Sequence, residues 1–200
     1  MPDDTNSDDL GLLGRSAAVV ALRSTVRRVA DAPYPVLITG ESGSGKELVA
    51  KAVHRLSRRE VRRFGAVNCA ALADELVESE LFGYTKGAFA GAVTDRAGLF
   101  EAADRGTLLL DEVGELSQRA QAKLLRVLQD GEIRRVGESQ SRRVDVRVVA
   151  ATNRPRDAAV GAGQFREDLL YRLDVLRMVC GIEATMCGSS RNIFGAVPSS

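Results

Sequence analysis

Cysteine and histidine are scarce in this chain of 200 residues, which carries three cysteines (Cys69, Cys180 and Cys187) and one histidine (His54). The cysteines lack paired CxxC spacing, so neither a zinc site nor a disulfide framework is indicated, and they read as reduced thiols. His54 has no accompanying Cys or Asp pattern, which assigns it to helix packing or the surface rather than to catalysis. No apolar run reaches the ~18–20 residues of a membrane span. The opening "MPDDTNSDDL" is acidic and polar, unlike the basic and apolar regions of a signal peptide. The expectation is therefore a cytoplasmic chain with no membrane contact. Low-complexity tracts are also missing, and 44% hydrophobic with 28% charged residues excludes wholesale disorder. A net charge of +1 gives no whole-chain case for nucleic-acid binding. Local arginine clusters, "RLSRREVRR" (55–63) and "RRVGESQSRR" (134–143), read as solvated faces or loop ends, with a phosphate-contacting patch as the alternative.

What is present is an alternation of short apolar runs with amphipathic ones. "PVLIT" (35–39) has the length of a buried strand and is followed at once by a glycine-rich turn. "KELVAKAVHRL" then predicts a helix with Leu48, Val49, Ala52, Val53 and Leu56 on one face. "GAVN" (65–68) and "TLLLDE" (107–112) read as further strands. "SQRAQAKLLRVLQDGEI" predicts a helix capped by Ser117, stopped at Gly131, with Ala120, Leu124, Val127 and Leu128 sharing a face. "VDVRVVAAT" (144–152) is a fourth strand with a polar tip at Asn153, and 175–180 can supply a last strand beside that of 35–39. Strands separated by helices imply an α/β fold with a mostly parallel sheet covered on both faces. Ligands then lie at the carboxyl ends of the strands.

The polar residues fall at those ends. "GESGSGKE" runs through Gly40, Glu41, Ser42, Gly43, Ser44, Gly45, Lys46 and Glu47. It matches the loop whose backbone N–H groups surround phosphates, with Lys46 reaching the outer ones and the next helix offering its positive end. Glu47 stands where Ser or Thr usually meets Mg2+, so metal ligation leans on water, phosphates and another side chain. Asp111, at the end of an apolar strand, is suited to hold Mg2+, and Glu112 to orient and polarise an attacking water. An ordinary acidic helix start is the alternative for this pair. Nothing resembles an N-K-x-D guanine reader, which favours ATP over GTP.

With those elements in place, residues 10–177 resemble the central ATPase domain of bacterial enhancer-binding proteins, the NtrC-like AAA+ activators of RNA polymerase carrying sigma-54. The stretches "GESGSGKELVAKAVH", "VNCAAL", "ESELFGYTKGAFAGA", "RGTLLLDEVGEL", "KLLRVLQDGEIRRVG", "VDVRVVAATNR" and "FREDLLYRLDVL" occur in the family's order. The resemblance implies a P-loop AAA+ core that forms rings, usually hexamers, with ATP between neighbouring subunits. On this chain it implies that Asn68 holds Glu112 away from water and that Asn153 senses the γ-phosphate. Arg166 and Arg172 are implied as fingers entering the next subunit's site, with salt bridges to Glu167 or Asp168 as the alternative. Gly87, Ala88, Phe89, Ala90, Gly91 and Ala92 match the family's GAFTGA loop, which inserts into a helix, moves with the ATP state and presses its aromatic onto sigma-54. Phe89 is then a bare aromatic in a mobile loop, and "GEIRRVGESQSRR" is the loop that accompanies it. Ala90 departs from the family threonine and deletes a hydroxyl, a change of about 0.5–1.5 kcal/mol for a lost hydrogen bond.

After "YRLDVLRM" the match breaks. Relatives continue through a "PPLRER"-like turn into a helical lid, whereas this chain reads "VCGIEATMCGSSRNIFGAVPSS". The expected organisation is a disordered segment over 1–9, the ATPase domain over 10–180 and an irregular tail over 181–200, with the lid absent; a frameshift or truncation is the expected reason, and a genuinely divergent end is the alternative. No receiver domain and no DNA-binding domain is expected in the chain. Two further readings stay open: a nucleotide-binding fragment without turnover, or an inhibitory partner of full-length relatives, and a chelatase-like AAA+ motor acting on another protein.

Overall fold

The computed structural model describes residues 10–12, 16–154 and 156–180. The expectations for 1–9 and 181–200, and Cys187 with them, lie outside the described residues. Helix α1 (Ala17–Ala30) is capped by the Ser16 hydroxyl, which accepts from Val19 N. Strand β1 (Val36–Thr39) leads through the glycine-rich turn into α2 (Lys46–Arg55). Strand β2 (Phe64–Asn68) and helix α3 (Asp74–Phe82) follow. A small antiparallel pair, β3 (Gly83–Tyr84) with β4 (Arg96–Ala97), then separates α3 from the short α4 (Leu99–Ala102). Strand β5 (Thr107–Asp111) passes through a 3-10 turn (Val113–Glu115) into α5 (Gln118–Asp130). A hairpin pairs β6 (Glu132–Ile133) with β7 (Arg142–Arg143). Strand β8 (Arg147–Thr152), helices α6 (Arg156–Gly161) and α7 (Glu167–Leu173), and strand β9 (Leu176–Val179) close the described chain.

The five-stranded sheet has the order β2-β5-β8-β1-β9 with every pairing parallel. Successive strand residues point to opposite faces, and the sequence supplies apolar side chains at both parities. Leu37, Leu108, Leu110, Val148 and Ala150 pack beneath α3, α5 and α7 with Phe82, Phe100, Leu124, Leu169 and Leu173. Val36, Ile38, Leu109, Val149 and Ala151 pack on the other face against Val26 and Val29 of α1 and Val49 and Val53 of α2. Continuous apolar strands are what a doubly covered parallel sheet requires. The last strand lies where expected, with β9 pairing β1 from Val36↔Leu176 to Thr39↔Val179. Ser117 caps α5 by accepting from Ala120 N, and Gly131 ends it in the left-handed conformation.

Local expectations shift in two places, whereas His54 falls in helix packing as expected. In α2 the buried residues are Lys46, Val49, Ala50, Ala52, Val53 and His54, so Val49, Ala52 and Val53 are inward as expected, while Leu48 and Leu56 are 51% and 38% exposed. Burying Lys46 at the helix start turns the buried stripe away from Leu48. The fourth strand begins at Arg147 rather than at 144, because Asp145 is tied sideways: its N–H donates to Asp104 Oδ1 and its carboxylate accepts from Arg59. His54 is buried in helix packing, where Nδ1 lies 2.9 Å from Thr107 Oγ1 and the ring tilts against Phe64. Burial lowers its pKa.

Candidate functional site

At the carboxyl ends of β1, β5 and β8, the glycine-rich turn and the acidic strand end face one open cleft of about 470 Å³. Its lining includes Ser42, Gly43, Gly45, Lys46, Glu47, Asn68, Asp111, Glu112, Glu115 and Asn153. Gly43 and Gly45 hold φ of +77° and +88°, backbone that a side chain would strain, which accounts for glycine at both positions. The turn therefore delivers the N-terminus of α2, with its unpaired N–H groups, into the cleft.

Lys46 is 7% exposed and its ammonium is fully engaged. It donates to Gly40 O and Glu41 O, both at 3.0 Å, and lies 3.5 Å from Glu112 Oε1. The acidic dipeptide is tightly held. Asp111 ends β5, and its Oδ1 accepts from Glu112 N at 3.1 Å. Glu112 takes left-handed backbone, φ 51° and ψ 50°, a conformation that costs a non-glycine residue about 1–3 kcal/mol. That geometry turns its carboxylate back toward Lys46 and onto Asn153 N, from which Oε2 accepts at 3.1 Å. Burial and the neighbouring Glu112 charge raise the Asp111 pKa, against the opposing effect of Lys46. Cys69 packs behind this pair and accepts no role in it: burial, then Asp111 and Glu112, push its thiol up to about 12.

Other expected residues divide. Asn68 lines the cleft, but its Oδ1 accepts from Ala70 N at 2.9 Å, and Glu112 is held by Lys46 and Asn153 N. Asn153 sits at the tip of β8 as expected. Arg166 caps α7 and forks onto Asp168 at 2.7 and 3.0 Å, the alternative weighed for it, and that contact raises the Arg166 pKa and lowers that of Asp168. Arg172 is exposed on α7. Glu47 pairs with Lys51 one turn on, at 2.7 Å. Sequence reasoning missed Glu115, which lines the cleft and is bound by Arg154 at 2.5 Å. Its only signal was a further acid just beyond Asp111 and Glu112. Among the described residues, no group of three or more His, Cys, Asp or Glu side chains could hold a metal alone.

The loop of 87–92 is a compact turn between β3 and β4. Gly87 N donates to Ala92 O at 2.8 Å and Ala92 N to Phe89 O at 3.0 Å, with φ of +83° at Gly87 and +100° at Gly91. Phe89 is 43% exposed but not bare, a correction to the sequence reading: its ring meets Tyr84 edge-on at 4.9 Å. Tyr84 comes from β3, five positions back, which no helix or strand period relates to Phe89. The two loop insertions, one between β3 and β4 and one between β6 and β7, are also joined, by Val136 N to Gly83 O and Thr85 N to Val136 O. Arg135 clamps Glu101 of α4 with paired 2.7 Å bonds, and Arg59 pairs with Asp145 and Arg142 with Glu138, so these three members of the arginine clusters are ion-paired rather than simply solvated.

A family model described as the sigma-54 interaction domain matches residues 12–179. The anaerobic nitric oxide reductase transcription regulator NorR of Salmonella paratyphi C is 57% identical over 164 residues, covering 82% of this chain and 32% of the relative. The regulator of the same name from Escherichia fergusonii is 55% identical over 168 residues, 84% of this chain and 33% of its own length. This chain thus spans about a third of the length of the curated relatives it matches. Among solved structures, NtrX from Brucella abortus in complex with ATP superposes with a TM-score of 0.80 at 40% identity, over 86% of this chain and 37% of that one. The P-loop NTPase domain of a sigma-54 activator from E. coli, at 16% identity and a TM-score of 0.56, shares the fold over 84% of this chain and 97% of that one.

Proposed function

The chain belongs to the sigma-54 interaction domain family, and on that premise we propose that residues 10–180 form one ATPase unit that couples nucleotide turnover to remodelling of RNA polymerase carrying sigma-54. The observation that carries this reading is the convergence on one cleft of the phosphate-type turn and the acidic strand end, with Lys46 Nζ 3.5 Å from Glu112 Oε1. The NtrX structures in complex with ATP and with ADP support a nucleotide as the ligand.

In this reading the backbone of 40–45 and the α2 N-terminus grip the phosphates, and Lys46 leaves the carbonyls of Gly40 and Glu41 for the outer phosphoryl oxygens. Asp111 fits Mg2+: its carboxylate is destabilised by burial and by Glu112, a surplus of negative charge that a cation offsets. Since no closed protein cage exists among the described residues, the remaining ligands are water and phosphate. Held there, such an ion would supply positive charge to the transferring phosphoryl group. Glu112 accepts a proton from, and orients, the attacking water once Lys46 turns to phosphate. Asn68, on the same cleft, withholds Glu112 between turnovers once Glu112 leaves Lys46 and Asn153 N. Asn153 reads the phosphoryl oxygens from the tip of β8. Arg166 and Arg172 act on a neighbouring subunit's site, Arg166 exchanging Asp168 for a phosphoryl oxygen. Phe89, released from Tyr84, presents its ring to sigma-54, with Ala90 lacking the family hydroxyl at that contact.

Steady-state ATP hydrolysis measured across protein concentration tests the motor reading. Turnover that rises cooperatively and disappears in Glu112→Gln is the expected result; a monomer with hydrolysis insensitive to that change overturns it. Retention of sigma-54 by the chain with a phosphoryl-transfer mimic tests the loop, and equal retention by wild type and Phe89→Ala contradicts its assignment.

A further inference from the structure

Gln121 is fully buried within α5, at 0% exposure, and every polar atom of its amide is used. Nε2 donates to Leu116 O at 2.7 Å and to Gln164 O at 2.8 Å, while Oε1 accepts from Arg166 N at 2.9 Å. Leu116 ends the 3-10 turn that begins at Glu112, so one side of the amide holds the segment carrying the cleft carboxylates. The other side holds the backbone of Arg166, whose guanidinium is stationed separately by Asp168. Gln118, one turn earlier and exposed, reinforces the clasp by donating to Gly163 O at 2.8 Å and Gln164 O at 3.2 Å. Arg154 adds a second link, bound to Glu115 at the cleft and within 3.5 Å of Gln164 Oε1. A buried primary amide in an otherwise apolar helix face is costly unless satisfied. Here its satisfaction ties the cleft's acidic turn to the start of α7 and to little else.

We propose that Gln121 is a positioning residue that sets the place of Arg166 by the state of its own subunit's cleft, so that movement of the Glu112–Leu116 turn is passed to the finger offered to the neighbour. This rests on the reading of Arg166 as acting in a neighbouring site. A single planar amide fixes two backbones at hydrogen-bond distance, and neither can shift without breaking a buried bond or moving the other.

The test compares Gln121→Met, which keeps side-chain length and removes the three bonds, with Arg166→Ala and wild type in the full chain. Gln121→Met is expected to lower kcat about 10–100-fold, the scale of a misplaced catalytic group, with KM for ATP within about twofold. Amide hydrogen exchange at Arg166 rises in that variant. Mixing it with Glu112→Gln subunits, whose Arg166 is intact, restores hydrolysis at the Gln121→Met sites. Gln118→Ala, altered only at the surface, gives a smaller kcat loss in the same direction and keeps the test valid if Gln121→Met unfolds. A kcat that stays at wild-type level in both glutamine variants while Arg166→Ala lowers it overturns the inference and leaves the finger reading standing. Parallel losses in kcat and nucleotide affinity, with no rescue on mixing, assign Gln121 to plain structure and also overturn it. No effect from Arg166→Ala, or no wild-type turnover, instead removes the reading beneath it and the inference falls too.

Discussion

Arg147 carries a charge into the sheet interior at 3% exposure, and its fork ends on main chain: Nη1 donates to Ala30 O and Nη2 to Val29 O, both at 2.7 Å. Those carbonyls are the negative end of α1, so a helix terminus does the work of a counter-ion. Burial pulls the Arg147 pKa down to about 10, which still leaves it charged at neutral pH. Arg147→Met should therefore destabilise the fold by about 3 kcal/mol, since buried carbonyls lose their donors, measured by urea unfolding. Asp111 makes the opposite case. Its folded pKa is raised, so its carboxyl supports the fold at pH below its ordinary value of 3.8 and loses that contribution as pH rises through the folded one. At neutral pH the ionised group is a net cost. Asp111→Asn should then raise the melting temperature at pH 7, show little gain below about pH 4, and abolish Mg2+-dependent turnover. A lower melting temperature at pH 7 would count against this view of the acidic pair.

Among the elements, the hairpin of β6 and β7 is tied to α4 by the Glu101–Arg135 pair. The Arg135 hydrogen bonds hold the Glu101 pKa below its usual 4.5, so the stability they confer is present above that value and is lost as pH falls through the depressed one. Glu101→Gln is expected to cost about 1–2 kcal/mol and to speed exchange of the Val136 and Thr85 amides, which join the two insertions. Unchanged exchange would show that the backbone bridge holds without the ion pair. The main elements were legible because each has a strong local signal: apolar runs for the strands, Ser117 and Gly131 at the ends of α5. In α2 periodicity places Val49, Ala52 and Val53 inward but misplaces Leu48 and Leu56, because it cannot say which edge of the apolar arc faces the sheet; the burial of Lys46 decides it. The contact of Phe89 with Tyr84 was invisible for a different reason, since it depends on the path of a turn rather than on any spacing.

At the scale of the whole molecule, the sheet order places β1, β5 and β8 side by side, and that adjacency alone brings Lys46, Asp111 and Asn153 to one cleft. The turn and the acidic strand end could be read in advance because their residue types suit one chemistry. Glu115 and Gln121 could not, because their parts arise from a 3-10 turn and a buried amide whose partners are backbone atoms that any sequence carries. The left-handed Glu112 likewise left no trace in the sequence, although it aims the carboxylate.

The account turns on the turn and the strand end acting as one nucleotide site. Equilibrium binding of a non-hydrolysable ATP analogue with Mg2+, to wild type and to Lys46→Ala, measures that most directly. Saturable binding by wild type, weakened about 100-fold or more in the variant, is the result expected for loss of a buried ammonium on phosphate. Equal affinity in the two proteins, or no binding by either, would contradict it.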